Sequence, residues 1–148
     1  MIGLLQRVSR GEVQVDGATV GRIERGLVVL LAVEPTDAEA QVDRLMDRVV
    51  HYRVFEDEAG RMNLSLLDTG GALLLVPQFT LAADTSKGLR PSFTSAASPE
   101  LGRRLFDYAV TRARARLGER VATGQFGAHM QLSLTNDGPV TFWLRVAD

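Results

Sequence analysis

Met130-Gln-Leu-Ser-Leu-Thr135, Asn136-Asp-Gly-Pro139 and Val140-Thr-Phe-Trp-Leu-Arg-Val146 run in succession near the C-terminal end. Met130, Leu132 and Leu134 alternate with Gln131, Ser133 and Thr135. Val140, Phe142, Leu144 and Val146 alternate with Thr141, Trp143 and Arg145. A period of two is the mark of a strand with one buried and one solvated face, and that division is typical of antiparallel sheets. Asn136-Asp-Gly-Pro139 has the composition of a turn joining the two strands.

The rest of the chain supports a sheet with helices laid on it. Leu4, Leu5 and Val8 lead into Val13 and Val15, and Asp16-Gly17 signals a tight turn. Leu27-Val-Val-Leu-Leu-Ala-Val33 and Ala72-Leu-Leu-Leu-Val76 are apolar throughout, so both read as strands buried on two faces. Thr36 to Tyr52 reads as a helix, with Thr36-Asp-Ala-Glu39 as its capping box. Ala38, Val42, Leu45, Met46 and Val49 form its apolar face. Val54-Phe55 and Met62 to Leu66 read as a hairpin around Gly60, and Asp68-Thr-Gly-Gly71 as a turn. Ser98-Pro99-Glu100 opens a second helix whose stripe is Leu105, Phe106, Ala109, Val110, Ala113 and Leu117, ended by Gly118. The order of elements lacks the strict βαβ alternation of a doubly wound sheet. The expected fold is α+β: one domain over 1–148, with a mostly antiparallel sheet or barrel and two amphipathic helices.

Composition narrows the function. The chain has 148 residues and a net charge of −1, which argues against a general nucleic-acid binder and gives no reason to expect a DNA partner. Residues 87–120, however, hold eight Lys/Arg against three Asp/Glu. Such a stretch serves either as a solvated helix face or as a local contact for an anion. With no cysteine, thiolate nucleophiles and thiolate metal sites are excluded. No apolar run reaches the roughly 20 residues of a membrane span, and no secretory leader is read at the start, so a cytoplasmic protein is expected.

His51 and His129 are the two histidines. His51 falls near a helix C-terminus, where it would serve free carbonyls, and His129 is read as structural too. No metal-ligand spacing and no phosphate-binding glycine loop is present, so neither metal nor cofactor is expected. Two segments stand out. Pro77-Gln-Phe-Thr-Leu81 ends a buried strand where proline cannot donate to the ladder. The N–H groups after it could form an oxyanion hole, with the Thr80 hydroxyl beside them. From pattern alone the simpler reading is a strand end with Phe79 in the core. The other segment is Asn136-Asp-Gly-Pro139, whose pattern favours no particular Gly138–Pro139 isomer.

Taken together these segments resemble the D-aminoacyl-tRNA deacylase family over essentially the whole chain. The resemblance rests on Met1-Ile-Gly-Leu-Leu-Gln-Arg-Val-Ser-Arg10, Tyr52-Arg-Val-Phe-Glu-Asp57 and Met62-Asn-Leu-Ser65. It continues through Gln78-Phe-Thr-Leu-Ala-Ala-Asp84, Lys87-Gly88, Arg90-Pro-Ser-Phe93, Gly124-Gln-Phe-Gly-Ala128 and Asn136-Asp-Gly-Pro-Val-Thr-Phe142. The order and spacing of all these pieces carry the match.

The resemblance implies a homodimeric hydrolase. It would cleave the ester joining a D-amino acid, or glycine mischarged on tRNA-Ala, to the 3′ end of tRNA. It implies that Gly138 and Pro139, joined by a cis bond, enter the partner subunit's site and exclude L side chains by steric clash. Asn136 belongs to that signature, and Arg7 matches the arginine that holds the Gly-Pro carbonyls. Gln78, Phe79 and Thr80 match the catalytic signature, with backbone N–H groups binding the oxyanion and the tRNA 2′-hydroxyl helping to activate water. Met130 would line the pocket, and Lys87 and Arg90 would contact tRNA. One departure stands: Pro77 occupies the position of the family's serine, which removes a hydroxyl and an N–H from the lip of the site. Two other readings stay open, a deacylase for a small L-amino acid and a non-catalytic RNA-binding module. The presence of Arg7 argues against the first.

Overall fold

A computed structural model describes residues 1–148. The long first strand β1 (Ile2–Val15) organises the sheet. Its early half pairs antiparallel with β3 (Gly26–Ala32) and its later half with β2 (Ala18–Ile23). Its other edge carries β8 (Gln131–Arg145) along nearly its whole length, also antiparallel. Parallel pairs follow, from β3 to β6 (Ala72–Pro77) and from β6 to β7 (Val121–Thr123). β7 then comes back against β2: a Cβ on Gly21 would sit 2.3 Å from the Thr123 carbonyl oxygen, so only glycine permits the approach. The mixed sheet is thus nearly barrel-shaped.

β3 and β6 are buried on both faces, as their apolar runs predict. Leu27, Val29, Leu31, Leu73 and Leu75 face the helices within a cluster of 26 buried residues. Val28, Leu74 and Val76 face the barrel interior with Val8, Val13 and Ile23. Over the first layer lie α1 (Glu39–His51) and α3 (Pro99–Leu117), which pack against each other. Val42, Leu45, Met46 and Val49 of α1 and Leu105, Phe106, Ala109 and Ala113 of α3 are buried as expected.

Several boundaries differ from expectation. The first helix starts at Glu39, three residues late, with Ala38 as its cap. Gln41 Oε1 accepts the Ala38 N–H at 2.7 Å. Asp37 is taken up elsewhere: it accepts the Glu34 N–H at 2.7 Å and the Met1 ammonium at 3.0 Å. The expected strand from Met62 to Leu66 is shorter. β4 (Phe55–Glu56) pairs with β5 (Met62–Leu64), and a one-turn helix α2 (Leu66–Thr69) follows. Ser65 and Asp68 exchange capping bonds at 3.1 and 2.9 Å, and Gly70 closes the turn at φ +71. After β6 the chain makes a 3-10 turn, Phe79–Ala82. The segment after it is pinned by Asp84 and Ser92, which exchange backbone bonds at 2.7 and 3.0 Å.

The largest difference lies at Asn136-Asp-Gly-Pro139. These residues do not join two strands; they belong to one strand, β8. Gln6 pairs with Thr141 and Val8 with Asn136, so residues 137–140 leave the ladder opposite Arg7 alone. The alternation on each side is real, but the segment between is an outward excursion, not a chain reversal.

Candidate functional site

Pro77 closes β6 opposite Leu31 of β3, and the Gln78 N–H donates to the Leu31 carbonyl at 2.8 Å. The chain then turns into the 3-10 segment. Like the first residues of any such turn, Phe79 and Thr80 have N–H groups with no intrahelical partner, and neither N–H finds another acceptor in the chain. The Gln78 side-chain amide donates to the Thr80 hydroxyl, which fixes that hydroxyl at the same edge. Phe79 is not in the core. It is 58% exposed and lies 5.2 Å, centroid to centroid, from Phe93, which is 44% exposed. The reason is the turn: the backbone leaves the sheet at Gln78, so the strand's inward alternation no longer applies to Phe79.

Gln78 and Phe79 edge a cavity of about 490 Å³ between the ends of β3 and β6, the start of α3 and the segment entering β8, whereas Thr80, the next residue, is not part of its lining. Pro77, Gln78, Phe79 and Met130 are among its lining residues, together with Phe106 and Phe126. Met130 sulfur accepts the Gln125 N–H at 3.4 Å, which ties the wall above β7 to the mouth of β8. His129, read from sequence as structural, lies exposed on the cavity wall, with Gln131 Nε2 3.5 Å from its ring. His51 does behave structurally, its Nδ1 2.8 Å from the Asp47 carbonyl oxygen. Phe106 and Phe126 were not foreseen as site residues. Phe106 reads only as part of the helix stripe, and Phe126 carries no periodic signal of its own.

The second set of residues forms a separate cluster. The Gly138–Pro139 bond is cis, and both residues are exposed. Arg7 lies buried beneath the excursion, 8% exposed. Its Nε donates to the Asp137 carbonyl at 2.9 Å and its guanidinium to the Val54 carbonyl at 2.8 Å. The carbonyl it holds is therefore that of Asp137, one residue before the Gly-Pro pair. Asn136 staples the base of the excursion. Its Oδ1 accepts the Val140 N–H at 2.7 Å, and its Nδ2 donates to the Thr141 hydroxyl at 2.8 Å. Gly138 has φ +137, and a Cβ there would meet Val140 Cγ2 at 2.7 Å and an Arg7 nitrogen at 3.2 Å. Alanine at 138 would press inward on Arg7 and strain the backbone.

A single chain does not bring the two clusters together. Gly3 pairs with Leu31, which pairs with Pro77. Arg7 lies four residues further along β1, and the excursion is on β8 beside it, so the excursion sits roughly 13 Å down the strand direction and three strands across from Gln78. No residue of 136–139 lines the cavity. Lys87 and Arg90 are exposed on the loop beyond the 3-10 turn and do not line it either. Groups of His, Asp and Glu able to hold a metal ion are absent. No helix is long and apolar enough to cross a membrane.

Comparison with known proteins adds an independent line. Residues 4–145 match a family described as D-Tyr-tRNA(Tyr) deacylase. A D-aminoacyl-tRNA deacylase of Thioalkalivibrio sulfidiphilus is 65% identical over 146 residues, covering 99% of this chain and 97% of its own. A solved structure titled c-Myc DNA Unwinding Element Binding Protein superposes with a TM-score of 0.95 at 34% identity, covering all of both chains. Another, a probable eukaryotic D-amino acid tRNA deacylase, superposes with a TM-score of 0.86 at 20% identity over 97% of each chain, a likeness of fold.

Proposed function

The chain belongs to the D-aminoacyl-tRNA deacylase family and is a hydrolase of that class; we propose that residues 1–148 work as one domain of a homodimer in which the Gly138–Pro139 excursion of each subunit completes the partner's pocket. The observation that carries this reading is the separation of the two clusters. A cavity edged by Phe79, whose N–H and that of the following Thr80 are unpartnered, lies at one end of the sheet. An exposed, braced excursion lies too far away to reach it from the same chain.

In this reading the ester carbonyl of the substrate enters the cavity with its oxygen toward the Phe79 and Thr80 N–H groups. Water adds to the carbonyl carbon, and the negative charge that develops on oxygen is met by donors already in place. The Thr80 hydroxyl, held by Gln78, positions the substrate. The intermediate collapses with release of the ribose 3′-oxygen, which takes a proton, to give free D-amino acid and tRNA. No side chain needs to act as nucleophile. The terminal 2′-hydroxyl of the tRNA helps to activate the water, which accords with a chain that has no cysteine. A tRNA substrate accords with a cytoplasmic location.

Selectivity then comes from rejection. The carbonyls of Gly138 and Pro139 of the second subunit occupy the space that an L side chain would need, while a D side chain points away. Glycine has no side chain to clash, so glycyl-tRNA mischarged on tRNA-Ala is also a substrate. Arg7 and Asn136 hold the excursion rigid, and Met130 shapes the pocket wall.

Subunit mixing tests the arrangement. Phe79 is the first residue of its turn, a position proline accepts, so Phe79→Pro removes one donor and lowers kcat by about 10²–10³-fold. Gly138→Ala forces the excursion to shift, so that it obstructs the partner's pocket. Two inactive homodimers, unfolded and refolded together, form mixed dimers with one intact pocket and recover activity. A mixture that stays inactive although mixed dimers form contradicts the proposal.

A further inference from the structure

We propose that a cationic groove on α3, continuous with the catalytic pocket, binds the phosphodiester backbone of the single-stranded 3′ end of the substrate RNA; this rests on the deacylase reading. The basic stretch 87–120 divides sharply once it is folded. Arg104, Arg112 and Arg116 turn toward α1 and pair with Glu39, Asp43 and Asp47. Arg120 donates to the Gly71 carbonyl at 3.0 Å. Four of the basic residues on or next to α3 are thus already engaged within the fold.

Arg103 and Arg114 are not. Both are exposed, and neither meets a carboxylate or donates a side-chain hydrogen bond. They stand 11 residues apart, three helical turns, and so share one face of α3 about 16 Å apart along its axis. That face borders a groove of about 540 Å³ that runs to the segment Thr123–Phe126. Asp107 is the one acidic side chain in the lining, so two positive charges face one negative.

The groove and the catalytic cavity share Phe106 and Phe126 as walls. The Arg103 guanidinium lies 4.9 Å from the centre of the Phe126 ring, at the boundary between the two. Cationic side chains tracking a backbone beside an aromatic ring are the recurring means of holding single-stranded nucleic acid. The ester-bearing nucleotide occupies the cavity, so the strand leaving it passes the Phe126 boundary. Phosphates then meet Arg103 first and Arg114 further on.

The test compares Arg103→Gln, Arg114→Gln and the double variant with wild type on two substrates. One is D-tyrosyl-tRNA; the other is 3′-D-tyrosyl-adenosine, which has no phosphate. Each phosphate contact on a single strand contributes about 0.7 to the salt slope, or about fourfold in affinity at 0.15 M salt. Each single variant is therefore expected to raise KM for the tRNA about fourfold with kcat kept, and the double variant to flatten the slope by about 1.4. Turnover of the adenosine ester stays at the wild-type rate, and Arg103→Lys and Arg114→Lys restore the slope. Asp107→Asn moves KM the other way. An unchanged KM and slope in the double variant, or a slope carried by Lys87 and Arg90 instead, overturns the groove. Wild type that hydrolyses neither substrate overturns the deacylase reading itself.

Discussion

Pro77 shows how one residue alters the lip of the site while leaving its chemistry in place. It still closes the β3–β6 ladder, and the next N–H, that of Gln78, still bonds to Leu31. The two unpartnered donors come later, at Phe79 and Thr80. Loss of the family's serine hydroxyl therefore leaves the proposed oxyanion site whole, and proline's fixed φ stiffens the strand end. Pro77→Ser is expected to change kcat for D-aminoacyl-tRNA by less than about threefold, below 1 kcal/mol in barrier. A wild type inactive until serine is restored would refute this. Phe79 marks where reading by residue fails. An aromatic side chain after an apolar run reads as core, and only the 3-10 turn carries it out to 58% exposure. The signal that bends the chain there, a proline ending a buried strand, is present in the sequence, but the direction of the bend is not.

Elements were legible where a pattern runs long enough to average over local exceptions. The two apolar strands, the C-terminal alternation and both amphipathic stripes lie where the periodicity puts them. β7 has three residues, too few for a period to show, and is held by its pairing with β6. The start of α1 moved because Asp37, the nominal second residue of a capping box, is drawn off by the Met1 ammonium and the Glu34 N–H. The Met1 partner lies 36 residues away in sequence. Asn136-Asp-Gly-Pro139 has turn composition, and its four-residue escape opposite Arg7 depends on the neighbouring strand. Asn136 holds that escape closed with two side-chain bonds. Asn136→Ala should leave Tm within several degrees, since its two lost hydrogen bonds cost about 1–2 kcal/mol together. It should loosen the excursion and lower the ratio of D- to L-tyrosyl-tRNA hydrolysis. A variant of full selectivity would show that Arg7 alone suffices.

On the scale of the whole molecule, an ion-pair cluster ties the chain's first residue to its last strand. The Met1 ammonium, with no exposed surface, donates to Glu34, Asp37 and the Val146 carbonyl. Arg145 grips Glu34 with two hydrogen bonds, 3.0 and 2.8 Å. The Arg145 guanidinium, against the opposing effect of burial and helped by the ammonium, holds the Glu34 carboxyl below its ordinary 4.5. A carboxyl depressed in the folded state stabilises the fold above its unfolded pKa, and that contribution is lost as pH falls through the folded value. Arg145→Gln is therefore expected to lower Tm at neutral pH, with the gap from wild type closing as pH falls below the ordinary carboxylate range. A gap constant across pH would assign the effect to packing. The acidic and basic partners of this cluster are visible in the sequence, but their meeting across more than a hundred residues is a product of the β1–β8 ladder.

Hydrolysis of D-tyrosyl-tRNA, L-tyrosyl-tRNA and L-alanyl-tRNA by the same preparation separates a D-selective deacylase from the other readings. A D-selective deacylase releases D-tyrosine rapidly, while both L esters decay at their spontaneous rates. Preference for either L substrate, or measurable tRNA binding with all three esters at the spontaneous rate, would contradict it.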